Sequence, residues 1–220
     1  MSACLPKSSE VIDTHNKWLV TDGWPHAVDL VSSEPLWHWI TINHRNNCQL
    51  WAEEDLARRT TVKDSEIAAN KRRIDAFNQA RNDATERVDE LLLMGLGLVD
   101  ESAACAQSPL FVVESLGVAA PRLNSETAGS MIDRLSILSL KIQAMFQQTS
   151  RTDVDESHRQ SSHAKLQRLL QQRSDLASCF DELLADCQAG RAYFKVYRQF
   201  KMYNDPALNP ALVAERAASL

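Results

Sequence analysis

Residues 70–90 read NKRRIDAFNQARNDATERVDE, a run without a single glycine or proline. At 3.6 residues per turn, Ile74, Arg81 and Val88 share one face with Ile67 just upstream. Lys71, Asp75, Asn78, Asn82, Glu86 and Asp89 run along the border of that face. The preceding stretch, NNCQLWAEEDLARR at 46–59, repeats the pattern. Asn43, Asn47, Glu54 and Arg58 fall on the face that carries Leu36, Ile40, Leu50 and Trp51. These are helix-bundle stripes with amides and charges where leucines would serve. An unpaired buried amide costs about 1–3 kcal/mol and an unpaired charge more. Such residues pair with one another, meet a ligand or stay wet.

Working outward from this stretch, the periodicity predicts an all-α fold: a bundle of about four long helices plus a C-terminal amphipathic helix and turn. The first helix starts at Ser33, with Pro35 in its first turn, and runs to about Arg59. The second spans about Asp64 to Met94, where Gly95 and Gly97 stop it. The third follows Asn124 or Ser125, both good N-caps, and ends near Gln148. The fourth covers about Glu156 to Cys187, with Gly190 in a C-cap position. RAYFKVYRQFKMY then reads as an amphipathic closing piece before the turn NDPALNP. Residues 1–32 form an N-terminal extension with Trp18 and Trp24 as anchors, 33–212 the bundle domain and 213–220 a tail. Within the bundle, 95–124 is an irregular connection whose FVVESLGV suits a short helix or an extended segment equally.

The third helix is apolar on two sides. Met131, Leu135, Leu138, Ile142 and Met145 form one stripe, and Ile137 and Leu140 lie opposite, which predicts a central position. Asp133 sits on the second side and needs a partner. Arg58, Lys71 and Arg81 are the candidates.

Composition narrows the function classes. The 220 residues are 44% hydrophobic and 24% charged, ordinary for a globular protein. A net charge of -5 argues against a general nucleic-acid binder. The five cysteines are scattered, which predicts reduced thiols. No apolar run approaches the ~20 residues needed to span a bilayer, and the first residues lack the apolar core of a signal peptide. A cytoplasmic protein without membrane insertion is expected.

Two constellations carry possible chemistry. Glu54 and Asp55, with Arg58 one turn on, suit an acid/base pair with an anion clamp, or equally a helix-internal ion pair. Along the second helix, Lys71, Asp75, Asn78, Arg81 and Asn82 suit a polar pocket between helices, or a hydrogen-bond network. With Asn47, Asp133 and Arg134 they make up the candidate ligand-binding set, while Glu54, Asp55 and Asp75 are the candidate catalytic carboxylates. No Glu-x-x-His occurs and His158 and His163 lack zinc spacing, so neither a metal nor a cofactor is expected. In the tail, Arg191, Lys195, Arg198 and Lys201 share a side if the segment is helical. They suit a phosphate-bearing ligand or a solvated face.

The strings LWAEED, KRRIDAFNQARND, NSETAGSMIDRLSILSLKI and FKMYNDPALNP, taken in order, resemble the bacterial family of the domain of unknown function numbered 4254, over roughly residues 40–212. Where many members look like WH-x-ED, this chain has Ala52 in the histidine position. The resemblance implies, through gene context, an association with glycosyltransferases and cell-surface polysaccharide synthesis. Two expectations follow. One is a non-catalytic accessory protein that binds a glycosyltransferase or related partner, with self-association as a further possibility. The other is an enzyme or sensor holding a phosphorylated or nucleotide sugar between the first two long helices.

Overall fold

The computed structural model describes residues 5–26, 34–99, 121–199, 202 and 205–218. The element order is α1 (Ser8–Leu19), α2 (Pro35–Ala57), α3 (Asp64–Gly95), β1 (Arg122–Leu123), α4 (Ala128–Thr149), α5 (Glu156–Gln188), β2 (Ala192–Tyr193) and α6 (Pro210–Ala218). The all-α expectation holds, and the four long helices lie within a few residues of their predicted ranges. FVVESLGV, Cys4, Cys105, Lys201 and the Tyr203–Asn204 part of the tail lie outside the described residues.

Local chemistry sets the ends of these helices. Pro35 occupies the first turn of α2, where its missing N–H costs nothing. After α3, Gly97 adopts φ 69°, and Leu98 N donates to Leu93 O at 2.9 Å, the left-handed stop that glycine permits. Gly190 ends α5 in the same way, with φ 68° and Arg191 N bonded to Asp186 O at 2.8 Å. The N-cap of α4 is Thr127 rather than Asn124 or Ser125, and its hydroxyl accepts from Ser130 N at 3.1 Å. Asn124 is occupied otherwise: its backbone N–H pairs with Tyr193 O and its amide caps Glu126 O.

Two antiparallel hairpins build the bundle. Helices α2 and α3 pair along their lengths, as Glu53 meeting Arg73 and Asn43 meeting Thr85 show. Helix α5 returns along α4, and α4 also touches α1, α2 and α3. It is the central rod that its two apolar sides predicted. The shared core joins Val88, Leu92, Ile132, Leu135, Phe180 and Phe194.

Two regions differ from the sequence expectation. Residues 8–19 form a helix whose Val11 and His15 are fully buried, so part of the extension belongs to the packing. Val11, Ile12, His15, Trp18 and Leu19 fall on one side at helical spacing, a signal present in the sequence but not taken up in its reading. Arg191–Gln199 is not helical. Ala192–Tyr193 pairs in parallel with Arg122–Leu123, and the chain then runs on as a strap. Ala192, Phe194 and Val196 point inward at period two while their neighbours do not. Tyr193, Phe194, Val196 and Tyr197 are residue types that fit that pleat better than a helix. The basic residues are therefore split, and Arg198 turns onto Glu86 and Glu90 of α3.

Candidate functional site

The amides of α2 meet the acid of α4 in the middle of the bundle. Asn43 and Asn47, one turn apart and both buried, donate to the same oxygen, Asp133 Oδ1, at 2.9 and 2.8 Å. Arg81 of α3 brings Nε within 3.9 Å of that oxygen, too long for a hydrogen bond but close enough for charge compensation. Asn43 also donates to Thr85 Oγ1 at 3.0 Å, and Thr85 turns its hydroxyl to Arg81 O. Asn47 donates to Ser136 Oγ at 3.0 Å, which leaves the serine proton for His44 Nδ1 at 2.7 Å. With the serine proton directed to Nδ1, His44 is the neutral imidazole that carries its own proton on Nε2. Burial holds its pKa down at about 3, with a hydrogen bond to the His15 backbone opposing the fall.

Beyond Asp133 the seam opens into a cleft of about 320 Å³ between α3, the N-terminus of α4 and the strap. Arg81, Asn82, Asp133 and Arg134 line it together with Thr127 and Ser130. Every hydrogen bond to Asp133 falls on Oδ1, so Oδ2 has none among the described residues. The buried Nε of Arg81 likewise has no hydrogen-bond partner. Asp89 forms the floor. Its Oδ1 accepts from Gly129 N at 2.5 Å, and burial pushes its carboxyl up to about 7, against the bonds from Thr127 and Gly129 that favour the anion. Gly129 is required for this approach, because a Cβ there would sit 2.7 Å from Thr85 O and 2.8 Å from Asp89 Cγ. The strap closes the outer wall. Gln199 accepts from Asn82 Nδ2 at 2.8 Å and its backbone N–H reaches Glu86 Oε1 at 3.1 Å.

The remaining candidates stand elsewhere. Arg58 pairs with Glu54 at 3.2 Å one turn away on α2, and its side chain is 80% exposed. Asp55 is exposed and lines, with Glu54 and Arg58, a shallower concavity of about 300 Å³ that Arg81 and Asn47 also reach. Lys71 and Asp75 pair with each other at 3.2 Å in open solvent. Asn78 is half-buried and lines neither cavity. Ala52 faces solvent, so a histidine in its place would also face water. Among the described residues, no group of three or more His, Cys, Asp or Glu side chains is arranged to hold a metal ion.

The profile of the family described as "Protein of unknown function (DUF4254)" matches residues 37–196, most of the chain. The chain belongs to the DUF4254 family. Neither a curated protein nor a solved structure matches it. Three of the four strings that carry the DUF4254 likeness hold interhelical contacts, and the fourth, FKMYNDPALNP, lies beyond the matched residues. Glu53 of LWAEED receives Arg73 Nε of KRRIDAFNQARND at 2.7 Å and Nδ2 of Asn70, the residue before that string, at 2.6 Å. Asp133 and Ser136 of DRLSIL hold the two asparagines of α2. Thr127 and Gly129 of NSETAGS form the cap over Asp89.

Sequence reasoning missed several members of this site. Asp89 was placed on the border of a stripe, not at the bottom of a cleft. Thr85, Thr127, Ser130 and Ser136 were not singled out, although Thr127 and Ser130 have cap spacing. The aromatic cluster was also missed. His15 stacks on His44 at 4.5 Å between centroids, Trp24 lies 5.7 Å from His44, and Trp18 stacks on Trp24 at 4.7 Å. No local signal places four rings from three segments together.

Proposed function

We propose that this DUF4254 protein is a non-catalytic binding protein, an accessory of glycosyltransferase pathways for cell-surface polysaccharide, that holds a polar ligand in the cleft between α3 and the start of α4. One observation carries the reading. Donors from Arg81, Asn82 and Arg134 and acceptors from Asp133, Thr127 and Ser130 line one cavity of about 320 Å³, and Asp133 Oδ2 is left over as an acceptor. A mixed donor and acceptor wall suits a hydroxyl-rich molecule such as a sugar. The first N–H groups of α4 are taken by Asp89 and Thr127, so a phosphate on that molecule falls to Arg81 and Arg134.

Calorimetric titration with sugar phosphates and nucleotide sugars tests this. At least one compound is expected to bind, and Asp133→Asn to weaken it about tenfold, the value of one charge-assisted hydrogen bond. Flat titrations across the panel, with no glycosyltransferase recovered by co-purification, would sink the proposal. A second reading is favoured by Asp89, whose pKa near 7 on the cleft floor suits a group that exchanges protons at neutral pH. On that reading the protein turns over its sugar ligand, and Asp89→Asn abolishes turnover while leaving affinity unchanged.

A further inference from the structure

A second hollow, of about 870 Å³, lies between α4, α5 and β1. It adjoins the cleft, because Ser125 and Arg134 line both. Around the start of α4 the side chains divide between the two. Thr127, Ser130 and Asp133 face the cleft, while Met131, Leu138 and Lys141 face the hollow. Arg134 stands on the ridge between them, its side chain 56% exposed and its Nη1 bonded to Glu126 Oε1 at 2.5 Å. A guanidinium carries five N–H donors, so the rest of the fork remains for a ligand that crosses the ridge.

The hollow is chemically divided. Its floor is apolar, with Met131, Leu138, Leu176 and Leu183 all buried. Helix α4 lends it the cations Arg134 and Lys141, two turns and roughly 10 Å apart along the axis. Helix α5 lends it Asp175, Glu182 and Asp186, which share one face at helical spacing with Cys179. Among the described residues no ion pair joins these α4 cations to these α5 acids, since Arg134 pairs with Glu126 and Asp186 with Arg122 and Arg191. Opposite charges held apart over an apolar floor serve different parts of one compound ligand. The cations suit phosphate, the acceptor-only carboxylates suit a diol, and the floor suits a flat ring. A lipid tail does not fit, because it would press carboxylates against hydrocarbon. A sugar phosphate alone ends at Arg134 and leaves the hollow unused.

We infer, on the basis of the cleft as a sugar site, that the ligand is a nucleoside diphosphate sugar lying across α4 at Arg134. Its sugar occupies the cleft and its nucleoside the α4–α5 hollow. The diphosphate rests on Arg134, on the α4 side and away from the acids of α5. Lys141 and Gln172 also meet in a neighbouring concavity, which places them together at one end of the hollow, with Asp175 one turn from Gln172. Asp175 therefore takes the ribose hydroxyls, the use that a carboxylate has in dinucleotide-binding folds. The base lies on Leu138 and Leu176, and Lys141 and Gln172 donate to its edge.

Titrations with matched pairs test this: UDP-glucose against glucose 1-phosphate, and GDP-mannose against mannose 1-phosphate. In at least one pair the nucleotide sugar is expected to bind about tenfold tighter. Asp175→Ala should cancel that gain and leave the sugar phosphate unchanged. Asp175 is exposed and bonded to Gln171 one turn away at 2.7 Å, so its removal spares the fold. Cys179 reports the place, because it is an exposed thiol that lines the hollow. The nucleotide sugar should slow its alkylation by iodoacetamide about fivefold, read by peptide mass spectrometry, and the sugar phosphate should not. A sugar phosphate that binds as tightly as its nucleotide partner, with Cys179 unprotected, overturns the bridging ligand and leaves the cleft standing. A gain indifferent to Asp175→Ala overturns it too, as does a Cys179 already unreactive in the free protein, which shows the hollow filled by the chain itself. Flat titrations for both members of both pairs overturn the cleft as well.

Discussion

The two ends of the α2–α3 hairpin carry the same kinds of side chain and meet opposite fates. Near the middle, Asn43, Asn47, Thr85 and Arg81 are covered by α4 and converge on Asp133. Toward the turn, Glu54, Arg58, Lys71 and Asp75 are left largely open to solvent, and they pair within their own helices in water. The difference is not in the residues but in what lies on top of them. A polar stripe on an amphipathic helix becomes a site only where a third rod excludes solvent from it.

Replacing Asn47 by leucine attacks the covered end, and we expect the largest effect there. Asn47 is 3% exposed and donates to Asp133 and Ser136 as well as to Asn43. Leucine removes all three bonds and leaves Asp133 with one fewer donor inside the bundle. A loss of roughly 3 kcal/mol is expected from chemical denaturation, because buried acceptors are stranded rather than returned to water. A loss below about 1 kcal/mol would mean that the seam is wetter than its burial implies, and the contrast between the two ends would collapse.

Acid titration sharpens the same comparison, since only the covered end holds buried titratable groups. His15 and His44 are neutral in the fold: burial draws both below the ordinary 6.5, His44 to about 3, with His15 further disfavoured as a cation by His44 and Arg173. Above pH 6.5 they are neutral folded and unfolded, so they add no slope. Below it the unfolded chain takes protons that the fold refuses, and stability falls by up to about 1.4 kcal/mol per pH unit for each histidine. Asp89 has the opposite sign. Its carboxyl is raised to about 7, so the fold binds its proton more readily than the unfolded chain between about 3.8 and 7, and stability falls there as pH rises. The net result is greatest stability near pH 6.5 and a loss of about one histidine's slope on the acid side. Asp89→Asn removes the opposing term, so its acid loss should be about twice as steep. Urea midpoints from pH 4 to 8 measure both slopes, and equal slopes in wild type and variant would refute the assignment.

Much of the fold was legible because period, breakers and caps are local. Pro35, Gly97 and Gly190 mark helix ends by backbone chemistry that needs no tertiary information. The central place of α4 followed from its two apolar sides, and Arg81 was one of three named partners for Asp133. The strap was misread because RAYFKVYRQFK satisfies both a 3.6 and a 2.0 period, and its pairing with Arg122–Leu123 decides between them. The stacked rings of His15, His44 and Trp24 depend on segments far apart in the chain. The seam was half visible for the same reason. Sequence places Asn47 and Lys71 on comparable stripes, and only the path of α4 separates them.

The smallest effects belong to the uncovered end, and they are the control on which the contrast rests. Arg58→Ala breaks an exposed i,i+4 pair, as does Lys71→Ala, and each should shift stability by less than about 0.5 kcal/mol. Glu53 marks the boundary between the regimes. It sits one residue before Glu54, yet it reaches across to Arg73 and to Asn70, whose amide is buried at 1% exposure. Glu53→Ala strands that amide and should cost about 1–2 kcal/mol, several times the cost at Arg58. Thermal melts of the three variants side by side rank them. If Arg58→Ala proves as costly as Glu53→Ala, charge at this end matters for a reason other than burial, and the shallow concavity beside Asp55 becomes the better place to look for a ligand.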